Sequence, residues 1–168
     1  MFDRISNNLQ AIVASIKNCV MNRAFYYTVF EAPKREVNKV FLHCSASDRE
    51  RHSDVSVIRR WHLDRGWNDV GYHFFITRSG IVQTGRPLND VPAAQHGHNK
   101  GSIAICVHGD NQFADEQLNA LKSLCMAIRA AYGDKKVTFH GHCEVSSKTC
   151  PNFDYKTILN LTPKGFMR

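Results

Sequence analysis

The feature that most constrains the fold of this chain is an alternation of short apolar runs with amphipathic helical patterns. Apolar runs of strand length lie at residues 39–44, 70–77 and 102–107. Helical patterns follow the first and third runs, and Asp54 and Asp115 stand where those helices should begin. Strands separated by helices favour an α/β fold: a single domain with a central mixed β-sheet flanked by helices.

A predicted hairpin is what makes this sheet mixed. Residues 78–80 read Arg-Ser-Gly, a turn signal, and residues 81–84 return as a strand antiparallel to the one before it. A further strand is predicted at 137–139, and a last short helix starts at Asp154. The polar segment 85–100 is a long loop, and structured loops of this length often line a site.

The first 37 residues have a different character. Apolar side chains recur there at helical spacing, at Phe2, Ile5, Leu9, Ile12, Val13, Ile16 and Val20. Lys17 and Asn18 interrupt the apolar stretch, so it is neither a membrane span nor a signal peptide. We therefore predict an N-terminal amphipathic helical extension at 1–37, which either docks on the core or contacts lipid, and a separate domain at 38–168.

The formal charge of +7, from 22 basic and 15 acidic residues, favours an anionic partner. Nucleic acid, an anionic membrane surface and an anionic wall polymer all fit this charge. The basic residues are scattered without a dense basic and aromatic patch, so we expect no specific nucleic-acid partner.

The six cysteines are predicted to be free thiols in a reducing compartment, because no secretory signal accompanies them. They are Cys19, Cys44, Cys106, Cys125, Cys143 and Cys150. By strand alternation, Cys44 and Cys143 should point away from the histidines that precede them.

A metal site is predicted around the polar stretch 139–151. Imidazole nitrogen and thiolate sulfur are the usual zinc ligands, and a catalytic zinc takes three protein ligands and keeps one position for water. His142 and Cys150 are candidates for two of the three. His43 is the best candidate for the third, because it lies near the carboxyl end of a buried strand, where α/β sheets place their sites. His140 is a rival ligand, although a supporting or surface role suits it better.

Four motifs occur in a fixed order along the chain. They are FLHCSA at 41–46, WNDVGYHF at 67–74, NKGSIAI at 99–105, and HCEV followed by KTCP within 142–151. Together they resemble the zinc-dependent N-acetylmuramoyl-L-alanine amidases of the phage lysozyme and peptidoglycan recognition protein family. The resemblance covers about residues 38–161 and is greatest to the small phage endolysins. It implies that the domain at 38–168 is a zinc amidase domain.

This resemblance implies roles for seven side chains. They are His43, His142 and Cys150 as zinc ligands, Tyr72 and Lys148 as catalytic residues, and His96 and Asn99 as residues that line the peptidoglycan groove. Non-enzymatic recognition members lose the cysteine, which this chain keeps. Zinc held by two imidazoles and a thiolate lowers the pKa of its bound water to about 7. The predicted function is therefore that of an endolysin, which hydrolyses the amide bond between N-acetylmuramic acid and L-alanine in peptidoglycan.

Two other functions stay open at this point: a non-catalytic peptidoglycan-binding module, and an inhibitor of a phage RNA polymerase, since some phage relatives bind theirs. A zinc nuclease is disfavoured because the candidate site lacks carboxylates. We expect a monomer that stays in the host cytoplasm until lysis and then acts in the periplasm and cell wall. We also expect the N-terminal helix to contact an anionic outer-membrane or wall surface.

Overall fold

The computed structural model describes residues 30–168, of which residues 32–168 form one compact unit. The predicted N-terminal helix lies outside the described residues, and the division at residue 37 stays a prediction. No helix within residues 30–168 is long and apolar enough to cross a membrane.

The described chain alternates strands and helices as the sequence predicts. The elements are β1 (Lys39–Cys44), α1 (Val55–Leu63), β2 (Phe74–Ile76), β3 (Val82–Thr84), β4 (Ser102–Val107), α2 (Asp115–Tyr132), β5 (Thr138–Gly141) and α3 (Tyr155–Ile158). Short 3₁₀ turns lie at Glu50–His52 and His142–Glu144. The predicted helix starts at Asp54 and Asp115 are confirmed, and the Asp54 carboxylate caps α1 by accepting from the Ser56 N–H at 2.8 Å.

The five strands form one mixed sheet in the order β3-β2-β4-β1-β5. All neighbours run parallel except β2 and β3, which form the predicted hairpin. Every residue of β4 is buried, as expected for a central strand of a sheet covered on both faces. On one face, Ile58 of α1 packs with Phe75 and Cys106 of the sheet. The predicted mixed α/β fold is confirmed.

Two predicted strands have different bounds in the structure. The run 70–77 forms a strand only at Phe74–Ile76. Before it, the Gly71 carbonyl accepts from the Ala93 N–H in the long loop, at 3.0 Å, so the backbone at Gly71 pairs with a loop rather than with a strand. The last strand is Thr138–Gly141 instead of 137–139, because its pairing with β1 continues to Gly141 opposite Leu42.

The loop 85–100 is held by the segment that leads into β1. The Arg35 guanidinium donates to the Leu88 carbonyl and to the Ser102 carbonyl, at 2.7 Å each. The backbone N–H of Lys34 donates to the Asn89 side chain at 2.9 Å. These contacts fix the loop to the segment before β1 and to the first residue of β4.

Candidate functional site

His43, His142 and Cys150 come together where β1 and β5 end at the same edge of the sheet. The two strands pair in parallel up to Leu42 and Gly141, so His43 near the carboxyl end of β1 lies beside His142, the first residue after β5. The His43 and His142 ring centroids are 4.6 Å apart, and Cys150 Sγ lies 3.9 Å from His43 Nδ1. The potential ligand atoms of the three residues all lie within 4.8 Å of one another. The structure thus brings together the three residues that the sequence nominates as zinc ligands.

The His43 ring is buried and has a defined orientation. Its Nε2 lies 3.0 Å from Gln95 Oε1, an acceptor, so Nε2 carries the proton and Nδ1 offers its lone pair towards Cys150. Burial, with the nearby His142 ring, lowers the pKa of His43 to about 3. The ring is therefore neutral at physiological pH, which is the state a metal ligand requires.

His142 is half-buried and lies in the 3₁₀ turn that follows β5. Burial lowers its pKa, and so does the positive charge of Lys148 nearby. The preceding residue must be glycine, because a Cβ at Gly141 would lie 2.6 Å from the Tyr155 ring and 3.0 Å from Pro151. This close approach brings the turn against α3 and so sets the position of the His142 ring.

Cys150 is in contact with Cys44, contrary to the expectation that Cys44 points away. The Cys44 N–H donates to Cys150 Sγ at 3.3 Å, and the Cys44 thiol is close enough to Cys150 to perturb the pKa of its thiol. This thiol contact and burial raise the pKa of Cys150. Cys150 reaches Cys44 because the segment after β5 folds back, with the Cys143 N–H donating to the Cys150 carbonyl at 2.7 Å. Cys143 lies in a 3₁₀ turn rather than a strand, and it is exposed and outside the cluster of candidate ligands.

The three candidate ligands line a cleft of about 350 Å³, and Tyr72 and Lys148 line it too. The Tyr72 ring centroid is 5.2 Å from that of His43. Burial raises the pKa of the Tyr72 hydroxyl well above its usual value, so the hydroxyl stays protonated. Lys148 is exposed. Both predicted catalytic residues therefore face the same space as the candidate ligands.

His96 and Asn99 lie in the long loop, outside the set of described residues that line this cleft. His96 is exposed. The Asn99 side-chain oxygen accepts the backbone N–H groups of Ala94 and Gln95, at 3.1 and 3.0 Å, and so shapes the loop. A substrate-binding role for His96 and Asn99 stays a prediction.

The rival ligand His140 faces away from the cluster. Its Nδ1 lies 2.7 Å from the Glu144 carboxylate, and its Nε2 lies 2.8 Å from the Thr138 hydroxyl. Sequence reasoning missed Gln95, which contacts His43 from a position 52 residues away. A single glutamine in a polar loop has no periodicity or motif that would single it out.

Solved structures of peptidoglycan amidases and recognition proteins share this fold. An endolysin N-acetylmuramoyl-L-alanine amidase from Clostridium intestinale has a TM-score of 0.67 and 25% identity, over 75% of this chain and 83% of that chain. Drosophila peptidoglycan recognition protein LB has a TM-score of 0.64 and 26% identity, over 82% of this chain and 87% of that chain. The fold is thus that of the peptidoglycan amidase and recognition protein class.

Sequence comparison identifies the family within this class. The sequence model described as N-acetylmuramoyl-L-alanine amidase matches residues 33–153. The endolysin of Escherichia phage T7 is 37% identical over 131 residues, which are 73% of this chain and 85% of that protein. The chain belongs to the N-acetylmuramoyl-L-alanine amidase family.

Proposed function

We propose that this chain is a zinc-dependent endolysin. It hydrolyses the amide bond between N-acetylmuramic acid and L-alanine in peptidoglycan. One observation carries the zinc dependence: His43, His142 and Cys150 place their ligand atoms within 4.8 Å of one another in a cleft. The net charge of +7 suits an anionic wall polymer as substrate.

The donor set fits zinc. Two neutral imidazoles and one thiol are typical zinc ligands, and three protein ligands leave the open position that catalytic zinc sites keep. His43 would bind through Nδ1, because its Nε2 proton is directed to Gln95. When bound, zinc would polarise the scissile carbonyl and activate a water molecule for attack on it.

Tyr72 acts as a hydrogen-bond donor in this proposal. Its hydroxyl keeps its proton because burial raises its pKa. A protonated phenol beside His43 can orient the attacking water or the scissile carbonyl, and it can pass a proton to the leaving amine. A base role would need the phenolate, which burial disfavours.

Lys148 supplies positive charge to the reaction. Attack on the amide carbonyl places negative charge on its oxygen, and a nearby ammonium stabilises that charge as it develops. Lys148 lines the cleft and acts on both His142 and His43 through its charge. Its side chain is exposed, so it can reach a substrate that lies in the cleft.

The site of action follows from the substrate. The protein is proposed to accumulate in the host cytoplasm until lysis and then to act on the wall from the periplasm. Contact of the N-terminal helix with an anionic surface stays a prediction, because that segment lies outside the described residues.

Mass spectrometry of fragments from purified sacculi tests the reaction directly. We expect free L-alanine amino termini on released stem peptides and intact glycan strands. A chelator should abolish this release, and added zinc should restore it. Release that is undiminished by the chelator would rule out the zinc mechanism, and cleaved glycosidic bonds would rule out the amidase.

The site argues against one of the two alternative functions and leaves the other to experiment. A wall-binding module without catalysis has no need of the cysteine that completes the His43, His142 and Cys150 cluster, so the cluster favours hydrolysis. Inhibition of a phage RNA polymerase stays a hypothesis, and a pull-down with the cognate polymerase tests it.

A further inference from the structure

Gln95 links the candidate ligand His43 to the long loop through a chain of buried hydrogen bonds. Gln95, Ser102 and His43 are at most 1% exposed. Gln95 Oε1 lies 3.0 Å from His43 Nε2, and Gln95 Nε2 lies 2.7 Å from Ser102 Oγ. Ser102 Oγ lies 2.7 Å from the Asn99 carbonyl oxygen. This series of hydrogen bonds therefore connects the backbone of the loop to Nε2 of the His43 ring.

The donor and acceptor roles in this series of hydrogen bonds are fixed by the Asn99 carbonyl. A backbone carbonyl only accepts, so the Ser102 hydroxyl must donate to the Asn99 carbonyl. The Ser102 oxygen then accepts from the Gln95 amide nitrogen, which turns the amide oxygen of Gln95 towards His43. That oxygen only accepts, so His43 carries its proton on Nε2 and leaves Nδ1 free.

We propose that Gln95 is a positioning residue for the metal site: it holds His43 in the Nε2–H tautomer with Nδ1 aimed at the metal. This inference rests on the proposed zinc function. Histidine ligands generally donate their other ring N–H to an acceptor that fixes tautomer and orientation. Here the acceptor is a neutral amide, and Asn99 sets its place by binding the backbone N–H groups of Ala94 and Gln95.

A second buried glutamine provides a matched control. Gln117 at the start of α2 is 0% exposed; its Nε2 donates to the His108 carbonyl at 2.7 Å, and its Oε1 accepts from the Ala114 N–H. Like Gln95 it is fully buried and makes two hydrogen bonds through its side chain, but its partners are His108 and Ala114 rather than a candidate ligand. Gln117→Met thus measures what the loss of a buried glutamine costs in folding alone.

The first experiment measures Zn²⁺ affinity by competition with a chelating indicator. Gln95→Met removes the acceptor and should weaken Zn²⁺ binding about 10–100-fold. Gln95→Glu keeps an acceptor next to His43 and should restore most of that affinity. Gln117→Met should lower the melting temperature but leave Zn²⁺ affinity as in the wild type. Wild-type affinity in folded Gln95→Met would overturn the proposal, as would an equal loss in Gln117→Met.

The second experiment reads the tautomer in the zinc-free protein. Nitrogen-15 NMR of labelled histidine should show His43 protonated at Nε2 in the wild type, and a mixture of tautomers in Gln95→Met. A wild-type His43 protonated at Nδ1 would overturn the proposal, even if Gln95→Met does not fold. If the wild type binds no Zn²⁺, the proposed zinc function fails, while the tautomer measurement still reports on Gln95.

Discussion

The sulfur of Cys150 lies 3.9 Å from Nδ1 of His43, although 107 residues separate them along the chain. Parallel pairing of β1 with β5 places the segment after β5 beside the carboxyl end of β1, and a 2.7 Å hydrogen bond from the Cys143 N–H to the Cys150 carbonyl folds Cys150 back towards it. A metal bound here would be held by the whole fold rather than by one loop. Such a site is therefore formed before the metal arrives, which suits catalysis.

Replacement of Cys150 should remove the metal. Cys150→Ser takes away the thiolate and leaves two imidazoles, so we expect the purified variant to retain no zinc and to lose amidase activity. Elemental analysis and a sacculus-release assay check this. Cys143→Ser is the control, because Cys143 is exposed and lies outside the cluster. Normal zinc content in Cys150→Ser would exclude this cysteine as a ligand.

Loss of the Lys148 charge should slow the reaction without loss of zinc. Removal of one group that stabilises the developing oxyanion typically costs about 10²–10³-fold in kcat. Lys148→Met should show this decrease with normal zinc content. Lys122→Met on α2 removes an exposed lysine outside the cleft and should be fully active. If the two variants are equally active, Lys148 is a surface lysine only.

Removal of the Tyr72 hydroxyl should have a comparable effect on the rate. Tyr72→Phe keeps the ring beside His43 but removes the donor, and we expect a loss of about 10²–10⁴-fold in kcat. Zinc content and melting temperature should stay close to wild-type values. Tyr132→Phe, at the end of α2, should be as active as the wild type. A fully active Tyr72→Phe would mean that Tyr72 only packs.

The zinc-free protein should lose stability as the pH falls from about 6.5 to about 4. Burial lowers the pKa of His62 and of His73 to about 4 in the folded state, below the usual 6.5 of the unfolded chain. In this window the unfolded state binds more protons, so the free energy of unfolding decreases as the pH is lowered. Each histidine contributes up to about 1.4 kcal/mol per pH unit.

Urea denaturation at several pH values from 7 to 4.5 measures this slope. His73→Gln removes one of these two rings and should make the slope of unfolding free energy against pH shallower by up to about 1.4 kcal/mol per pH unit, which corresponds to one proton. A stability that does not change over this range, or a slope unchanged in His73→Gln, would contradict the assignment of these groups.

Substitution of Gly71 should damage both stability and activity. A Cβ at Gly71 would lie 2.4 Å from the Ala93 carbonyl oxygen, so the backbone next to Tyr72 must move. We expect Gly71→Ala to cost about 3 kcal/mol, the upper end for overpacking. Gly133→Ala places alanine at a φ of +88° with no contact closer than 4.0 Å. This backbone conformation is nearly exclusive to glycine, so Gly133→Ala should cost about 1–3 kcal/mol in strain but leave activity intact. A fully active Gly71→Ala would contradict the prediction, because it would show that the loop next to Tyr72 moves without harm to the site.

Much of the fold could be predicted from local patterns. The strands at β1 and β4 and the starts of α1 and α2 follow from apolar runs and from Asp54 and Asp115, signals that act over a few residues. The strand at Phe74–Ile76 is shorter than predicted, because the pairing of Gly71 with Ala93 depends on where the long loop folds back.

The sequence by itself also determined the chemistry of the site: two imidazoles and a thiol of the right types for zinc, at His43, His142 and Cys150. Only the tertiary structure decided how these side chains are oriented. Gln95 contacts His43, which lies 52 residues away in the sequence. The backbone N–H of Cys44 donates to the sulfur of Cys150, which lies 106 residues away. Such contacts depend on strand register and loop path, which are set when distant segments pack together, so no local pattern encodes them.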